Sequence, residues 1–254
     1  MDTNPLELSG KRILVTGASS GIGKAASQLF SNLGAKVVLL ARNEERLQST
    51  LESLAGEGHA KYVFDLGATD EIPGLMKKMA NEQGHLSGLF HCAGITLVWP
   101  VTLLKKKYID SVFSSSIAAA LLLVRGFCQK GVRNQNGASI VIMSSAAGIR
   151  GVKGLSIYSA SKAAVDGAVR SLAVELAPRG VRINSIAAAG IESAMHSAWL
   201  KNFTEEQLFI YTRKHLMGFG TAEDVANAAA FLLSDASRWI TGTTMLVDGG
   251  LSCW

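Results

Sequence analysis

Residues 12–26 read RILVTGASSGIGKAA, a short apolar run that leads into glycines at positions 17, 21 and 23. The apolar run is typical of a buried strand, and the segment after it is long enough for a helix. Glycines at such a junction allow a tight turn, the close approach of a pyrophosphate and close packing of helix on strand. The free N–H groups and positive dipole end of a helix start also favour an anion. The stretch therefore predicts a nucleotide site, with an ordinary glycine-rich turn as the alternative.

Strand-like runs alternate with helix-length segments along the rest of the chain. The candidate strands are RILVT (12–16), KVVLL (36–40), KYVF (61–64), GLFHC (88–92), SIVIMS (139–144), VRINSI (181–186) and TMLV (244–247). Most lack polar alternation, which indicates strands covered on both faces. The pattern predicts an α/β fold: a Rossmann-type, doubly wound parallel sheet of about seven strands, flanked by helices on both faces. Because no linker or repeat interrupts it, we interpret residues 1–254 as a single nucleotide-binding domain.

The composition describes a chain that can bury a large core. The 254 residues are 48% hydrophobic and 18% charged, which excludes an intrinsically disordered protein. The net charge of +5 comes from scattered basic residues, and the one dense run, three lysines at 105–107, is short. Such a run is typical of a solvated turn, so we predict no nucleic-acid partner and no membrane partner.

The cysteines and the apolar runs bear on location. Cys92, Cys128 and Cys253 are far apart and lack metal-ligand spacing, which predicts reduced thiols and no metal site. The first residues, MDTNPLELSGKR, contain no secretory apolar region. The longest apolar run, IAAALLLV (117–124), is too short to span a bilayer. These features predict a cytoplasmic protein.

The stretch YSASK (158–162) places a phenol and an ammonium four positions apart. It opens a segment, IYSASKAAVDGAVRSLAVELA (157–177), whose apolar spacing predicts a helix that stops near Pro178 and Gly180. Tyr158 and Lys162 then lie on one helix face, and the small residues between them leave room for a ligand. Reduction of a carbonyl needs a proton donor, and a nearby ammonium makes a phenol a better one because it stabilises the phenolate. The alternative is an unremarkable helical pair.

Five motifs together resemble the short-chain dehydrogenase/reductase family, in the branch that contains β-ketoacyl-ACP reductases. They are TGASSGIG (16–23), Ala-Gly (93–94), Ser-Ser (144–145), YSASK and ITGTTMLVDGG (240–250), so the resemblance covers nearly the whole chain. It implies an NADP(H)-dependent oxidoreductase that interconverts a ketone, for example a 3-oxoacyl thioester, and a secondary alcohol. A catalytically weak NADP(H)-binding or interaction protein is the alternative.

The resemblance also implies roles for individual residues. Tyr158 is the acid/base, Lys162 holds the nicotinamide ribose and supports the tyrosine, and Ser145 holds the substrate oxygen. A Ser-His-Asp hydrolase competes for the serine, but no G-x-S-x-G motif surrounds it. The predicted cofactor-binding residues are Gly17, Ser19, Ser20, Gly21, Ile22, Gly23, Arg42, Asp65, Leu66, Ala93, Gly94, Tyr158, Lys162 and Ile191.

The end of the second candidate strand bears on the choice of cofactor. NAD-preferring folds usually carry an acid there, whereas Ala41 and Arg42 stand in this chain. A guanidinium matches a 2′-phosphate, which favours NADP(H) over NAD(H) unless Arg42 simply points into solvent. Asp65 matches the family's adenine-contacting Asp, with a helix N-cap as the alternative.

Three departures from the family pattern stand out. The usual Asn-Asn-Ala-Gly begins with His91-Cys92; Cys92 cannot supply amide hydrogen bonds, and we interpret His91 as a packed strand residue. Ser116 aligns with the family's fourth catalytic residue, an Asn that helps to place a water, and is our fourth catalytic candidate. Ala188-Ala189 replaces Pro-Gly, and we expect Gly190 to restore the lost freedom to adopt positive φ.

The segment 190–219 occupies the place of the family's substrate loop and predicts a lid. Its large apolar side chains suit a partly apolar substrate, a small molecule with a carbonyl or alcohol group. They are Met195, Trp199, Phe203, Phe209, Tyr211 and Met217. Two amphipathic helices that only cover the sheet edge are the alternative. The resemblance further implies a homo-oligomer, a dimer or tetramer, formed through the helix after YSASK and the tail GGLSCW (249–254).

Overall fold

The structure is a computed structural model that describes residues 4–201 and 203–253. The strands are β1 (Arg12–Thr16), β2 (Lys36–Ala41), β3 (Ala60–Val63), β4 (Gly88–His91), β5 (Ala138–Ser145), β6 (Val181–Ala188) and β7 (Thr244–Val247). The α-helices are α1 (Gly21–Asn32), α2 (Glu44–Glu52), α3 (Ile72–Gln83), α4 (Lys106–Phe113), α5 (Ala119–Phe127), α6 (Ser156–Leu176), α7 (Ala194–Leu200), α8 (Glu205–Arg213) and α9 (Ala222–Leu233).

The strands form one parallel sheet in the order β3-β2-β1-β4-β5-β6-β7. This confirms the predicted doubly wound α/β fold. β5 and β6 run further than their apolar runs predicted, because the two strands pair along their whole length up to Ser145 and Ala188. The chain leaves β1 for one side of the sheet and later returns through β4 on the other side. Ligands of such sheets bind at this reversal, beyond the carboxyl ends of the strands.

Both faces of the sheet are buried, as the lack of polar alternation predicted. Successive residues of β1 point to opposite faces, so Ile13 and Val15 enter one core and Leu14 enters the other. Helices α1 and α9 cover the first core, and α3, α5 and α6 cover the second. The body of the sheet is therefore buried, and the residues at the carboxyl ends of its strands are the ones that can form a site.

The helix that precedes β5 is longer than its apolar run suggested. Helices α4 and α5 are joined by a π-helical turn, Ser114–Ala118, into one helix over Lys106–Phe127. By length and composition, this is the one helix in the described part of the chain that could cross a membrane. It packs closely on α3, where a Cβ at Gly126 would lie 2.7 Å from Cγ of Met76. A core helix passes the same test of length and composition, and the predicted cytoplasmic location stays a prediction.

Candidate active site

The glycine turn between β1 and α1 is shaped by close backbone approaches. Gly17 has a φ of +70°, and a Cβ there would lie 3.0 Å from the backbone nitrogen of Ala93 on the loop after β4. A Cβ at Gly23 would lie 2.3 Å from the carbonyl oxygen of Gly17, closer than real Cβ atoms come. The first and third glycines therefore allow the turn to pack against β4 and against its own helix.

The middle of this turn is open and fits an anionic group. Gly21 has a φ of +50°, and a Cβ there would meet no heavy atom within 4 Å. Ser20 is the N-cap of α1, yet its side chain makes no capping hydrogen bond to the first turn. The N-terminal N–H groups of α1 thus lack side-chain capping, as at helix starts that bind a phosphate. Ser19 lies on the same turn and is half-buried.

A cavity of about 370 Å³ opens at the carboxyl ends of β1, β4, β5 and β6. The predicted site residues that line it are Gly17, Ser20, Gly21, Ile22, Ala93, Gly94, Ser145, Tyr158, Lys162 and Ile191. The predicted residues that are not part of its lining are Ser19, Gly23, Arg42, Asp65, Leu66 and Ser116. The structure therefore brings the glycine turn, the serine and the Tyr-Lys pair to one opening.

Tyr158 and Lys162 share one face at the start of α6. The buried Nζ of Lys162 lies 5.6 Å from the centre of the Tyr158 ring and donates to the carbonyl of Met143, on β5, at 2.8 Å. An ammonium has three donors, and the other two have no acceptor in the part of the chain that the structure describes. Lys162 also lines the cavity, so it has hydrogen bonds to offer to a ligand with hydroxyl groups.

Ser145 sits at the end of β5 with its hydroxyl held loosely. The Oγ atom accepts from the backbone N–H of Ala147 at 3.2 Å and donates to the carbonyl of Ala188, its β6 neighbour, at 3.4 Å. The second bond is at the long limit for a hydroxyl donor. The proton of Ser145 can therefore turn to a better acceptor that enters the cavity.

A buried carboxylate, which the sequence analysis missed, anchors helix α6 to the sheet. Asp166 accepts from the hydroxyl of Ser144, on β5, at 3.0 Å and from that of Ser185, on β6, at 2.8 Å. These bonds fix the face of α6 that carries Tyr158 and Lys162. An acid on the apolar face of a helix, one turn after Lys162, was the available signal.

Arg42 and Asp65 meet at the ends of β2 and its neighbour β3. Their charged atoms are 3.8 Å apart, and the side chains are 70% and 62% exposed. Asp65 also accepts from the backbone N–H of Gly67 at 2.9 Å, whereas the next helical turn starts at Thr69 with Ala68 as its N-cap. The N-cap alternative for Asp65 is therefore wrong. The neighbouring Leu66 is a buried core residue.

The segment 190–219, the predicted lid, is held beside the cavity by the buried His215. His215 accepts from the N–H of Gly190 at 3.2 Å, and its other nitrogen donates to the carbonyl of Tyr211 at 3.0 Å. A Cβ at Gly190 would lie 2.9 Å from the His215 ring and 3.0 Å from the Tyr211 hydroxyl. Gly190 does not have a positive φ. The expectation that it restores that freedom is wrong, because the lid needs a glycine for close packing.

Two aromatic side chains of the predicted lid line the cavity. Trp199 and Tyr211 line it, with ring centres 5.1 Å apart, and Phe203 packs on Trp199 at 4.7 Å. The largely exposed members are Phe209 and Met217. The side chain of Met195 lies outside the described part of the structure. Within residues 4–201 and 203–253, no group of three or more His, Cys, Asp or Glu is placed to hold a metal ion.

Comparisons with known proteins identify the family. A sequence profile described as enoyl-(acyl carrier protein) reductase matches residues 17–252. The 3-oxoacyl-(acyl-carrier-protein) reductase of Rickettsia conorii is 36% identical over 247 residues, which are 97% of this chain and 98% of that protein. The chain belongs to the short-chain dehydrogenase/reductase family.

Solved structures of this family share the whole architecture. A short-chain dehydrogenase/reductase from Mycobacterium ulcerans has a TM-score of 0.89 at 30% identity, and the match covers 97% of this chain and 91% of that one. A protein from Beutenbergia cavernae, named as an NAD(P)-dependent gluconate 5-dehydrogenase and solved with NADP bound at low occupancy, has a TM-score of 0.90 at 29% identity, with 99% and 100% coverage. The present chain is an NAD(P)-dependent oxidoreductase of the ketone–alcohol type.

The first departure from the family pattern has a structural replacement. Thr16 accepts the N–H groups of Cys92 and Ala93, each at 3.1 Å, so its own O–H donates to Nδ1 of His91 at 2.8 Å. The backbone of Ser116, in the π-helical turn, interacts with His91 and partly opposes the fall in its pKa. His91 is thus the packed strand residue that we expected, and its bond to Thr16 links β4 to β1. The role of Thr16 was missed, although it directly precedes the first glycine.

The electrostatic states of His91 and Cys92 follow from their surroundings. Burial, together with the nearby charge of Lys162, lowers the pKa of His91 to about 3, so the ring is neutral. Burial raises the pKa of Cys92 to about 12, against the opposing effects of Lys162 and an N–H from Gly23. Cys92 is therefore a thiol that fills space beside the glycine turn, and it is not a nucleophile at neutral pH.

Proposed function

We propose that this enzyme interconverts a ketone and a secondary alcohol with NADP(H), and that Ser145, Tyr158 and Lys162 are its catalytic residues. The observation that carries the proposal is the convergence of these three side chains with the glycine turn on one cavity. The cofactor, when bound, supplies or accepts the hydride. A 3-oxoacyl thioester is one candidate substrate, because relatives at 35–36% identity are named for that reaction.

Each catalytic residue has a physical reason for its role. Tyr158 gives a proton to the carbonyl oxygen during reduction and takes it back during oxidation. Ser145 exchanges its long bond to the Ala188 carbonyl for a bond to the same substrate oxygen, which stabilises negative charge as it develops. Lys162 stabilises the phenolate form of Tyr158 by charge, and its two unpartnered donors suit the ribose hydroxyls.

Ser116 is proposed as a fourth, supporting residue. Its buried Oγ has no hydrogen-bond partner in the described part of the chain, and it lies in the π-helical turn Ser114–Ala118. Buried hydroxyls are nearly always bonded, often to a water, and π-helical turns are frequent at functional sites. A water bonded to Ser116 would continue a proton path from Lys162. Ser116→Ala should then lower kcat about tenfold or less, with little change in KM.

The proposed preference for NADP(H) rests on Arg42. The exposed ion pair between Arg42 and Asp65 is worth roughly 1 kcal/mol or less, so the guanidinium can turn to a 2′-phosphate at little cost. Arg42→Asp should lower the NADP-to-NAD ratio of kcat/KM by about 100-fold, because it replaces attraction with repulsion. Arg46→Asp, a nearby exposed change on α2, is the control. An unchanged ratio in Arg42→Asp would refute this assignment.

The lid over residues 190–219 and a homo-oligomeric state are further parts of the proposal. The contact of Trp199 and Tyr211 with the cavity supports the lid. Self-association is supported by apolar side chains on the outside of two helices, since Val174 of α6 is 79% exposed and Leu121 of α5 is 42% exposed. Light scattering should report a dimer or tetramer, and Val174→Asp should reduce its size. A wild-type monomer at micromolar concentration would contradict this expectation.

The activity itself is tested by NADPH oxidation against ketones and 3-oxoacyl thioesters. Tyr158→Phe should lower kcat by about 10²- to 10⁴-fold and leave the Kd for NADPH within about twofold, because only the acid/base group is lost. Tyr108→Phe, on α4, is a matched control. Full activity of Tyr158→Phe would remove the central assignment. Tight NADPH binding without turnover of any carbonyl would instead favour the weakly catalytic alternative.

A further inference from the structure

We propose that Arg150 binds an anionic group of the substrate, so that the preferred substrate is a ketone or alcohol that also carries a carboxylate or a comparable anion. This inference rests on the proposed function above and specifies its substrate class.

Arg150 lies where it can meet the far end of a substrate. It stands five residues after Ser145, between the short 3₁₀ turn Ala146–Gly148 and the start of α6. Its half-buried side chain lines the same cavity as Ser145 and Tyr158. A substrate whose carbonyl lies between Ser145 and Tyr158 therefore shares an enclosure with the guanidinium.

The positive charge of Arg150 has no direct ion-pair partner. No Asp or Glu lines the cavity, and Arg150 forms no ion pair within the part of the chain that the structure describes. Asp248, in the C-terminal segment that Arg150 contacts through Leu251, lies outside the cavity lining, and its carboxylate accepts the N–H groups of Gly250 (3.1 Å) and Ser252 (2.9 Å) and the Ser252 hydroxyl instead. A guanidinium beside apolar walls is costly to desolvate without an anion, so the site favours a ligand that brings one.

The donors of Arg150 are also largely free. One N–H group donates to the backbone carbonyl of Leu251, which leaves the other donors without an acceptor among the described residues. A guanidinium has five donors in a planar fork, and two of them can grip a carboxylate in parallel. The bond to Leu251 holds the side chain in place and reduces the entropy lost on binding.

No other charged side chain that the structure describes in the cavity is free to bind a substrate anion, and the glycine turn is proposed to hold the cofactor. His196 lines the cavity and His215 is buried within the predicted lid, and burial lowers the pKa of both groups, so both are neutral near pH 7. The Arg150 charge also lowers the pKa of His215, and the charge of Asp248 opposes it. Lys162 is held by Met143 and is assigned to the Tyr158 pair. The remaining walls are mostly apolar, for example Val152 and Leu155, and they strengthen an ion pair by excluding water.

A purely structural role for Arg150, as an anchor of the C-terminal segment through Leu251, makes a different prediction. Loss of an anchor would affect all substrates alike, whereas loss of an anion receptor affects only charged ones. The test therefore uses matched pairs of short-chain oxo-acids and their methyl esters, with NADPH as the reductant. The variants are Arg150→Met, Arg150→Lys and the control Arg213→Met, which removes an exposed guanidinium at the end of α8, outside the cavity lining.

The wild type should favour the oxo-acid over its ester by at least about tenfold in kcat/KM. Arg150→Met should lower kcat/KM for the acid by about 10- to 100-fold, which corresponds to the usual contribution of a charged hydrogen bond. The kcat/KM for the ester should stay within about twofold of the wild-type value. Arg150→Lys should retain part of the preference, and Arg213→Met all of it. Equal losses for acid and ester, or a wild type indifferent to the charge, would overturn the proposal.

A failure of the proposed function would look different. In that case the wild type would reduce neither member of a pair, and calorimetric titration of the NADP⁺-loaded protein with the same compounds would decide the inference. Tighter binding of the acid that disappears in Arg150→Met supports the anion site even without turnover. Equal binding of acid and ester refutes it.

Discussion

Acidification should destabilise this protein through His91, which binds a proton in the folded state only near pH 3. Its Nδ1 atom accepts the hydroxyl proton of Thr16, whose lone pairs are taken by the N–H groups of Cys92 and Ala93. A proton on Nδ1 would break that bond. It would also place a second buried cation near Lys162. Burial and this charge lower the pKa of His91 from its ordinary value of 6.5 to about 3.

The sign and the size of the effect follow from these two pKa values. Above about pH 6.5 the ring is neutral in both states, and it contributes no dependence on pH. Below that pH the unfolded chain binds a proton that the folded chain refuses, so the free energy of unfolding falls by about 1.4 kcal/mol per pH unit. At about pH 4.5 the loss is roughly 3 kcal/mol, and it levels off near pH 3 at about 5 kcal/mol. A typical domain has only about 5–15 kcal/mol to lose.

Urea unfolding, followed by tryptophan fluorescence at fixed protein concentration, measures this slope. His91→Asn introduces the residue that the family usually has here and removes the titration. Its free energy of unfolding should fall by about 3 kcal/mol less than that of the wild type between about pH 7.5 and pH 4.5. His85→Asn, at an exposed site, should follow the wild type. Parallel curves for His91→Asn and the wild type would refute the reasoning, whatever their difference at neutral pH.

Three further outcomes follow from close contacts and burial. Gly23→Ala should lower the melting temperature by several degrees and weaken NADPH binding about tenfold or more, because its Cβ meets the Gly17 carbonyl at 2.3 Å; calorimetry that finds neither change would contradict this. Gly190→Ala should raise the KM for the carbonyl substrate several-fold by displacing the lid, with NADPH affinity as the internal control; an unaltered KM would count against the lid. Iodoacetamide at pH 8 should label free glutathione in the same tube and spare Cys92, whose pKa is about 12, as mass spectrometry would show; labelling of Cys92 at the rate of glutathione would contradict that environment.

Much of the fold and of the candidate site could be predicted because the signals are local. The apolar runs of β1 and β7 predicted the observed bounds, Arg12–Thr16 and Thr244–Val247. β1 is buried on both faces, which gives a short run without polar alternation. β7 is a partly buried edge strand, and its β-branched and apolar residues gave the signal. The four-residue spacing of Tyr158 and Lys162 placed both on one helix face, because a helix repeats every 3.6 residues.

The residues that escaped prediction act through partners far away in the chain. Asp166 is satisfied by Ser185, 19 positions later and on a different strand. Gly190 was expected to supply the freedom to adopt a positive φ. The position instead needs a glycine because the ring of His215, 25 positions away, packs against it. Neither relation has a periodicity that a sequence pattern could reveal.

The order of residues alone thus determined the class of fold, the glycine turn and the placement of Tyr158 and Lys162 on one helix face, because each depends on steric and hydrogen-bonding rules that span a few positions. Only the tertiary structure decided which side chains meet across the sheet. The neutrality of His91, the anchoring of α6 and the lack of an ion-pair partner for Arg150 all depend on burial and on through-space neighbours. Desolvation acts on a group only when distant segments of the chain surround it. The charge states and hydrogen bonds of the residues around this cavity therefore could not be predicted from the sequence.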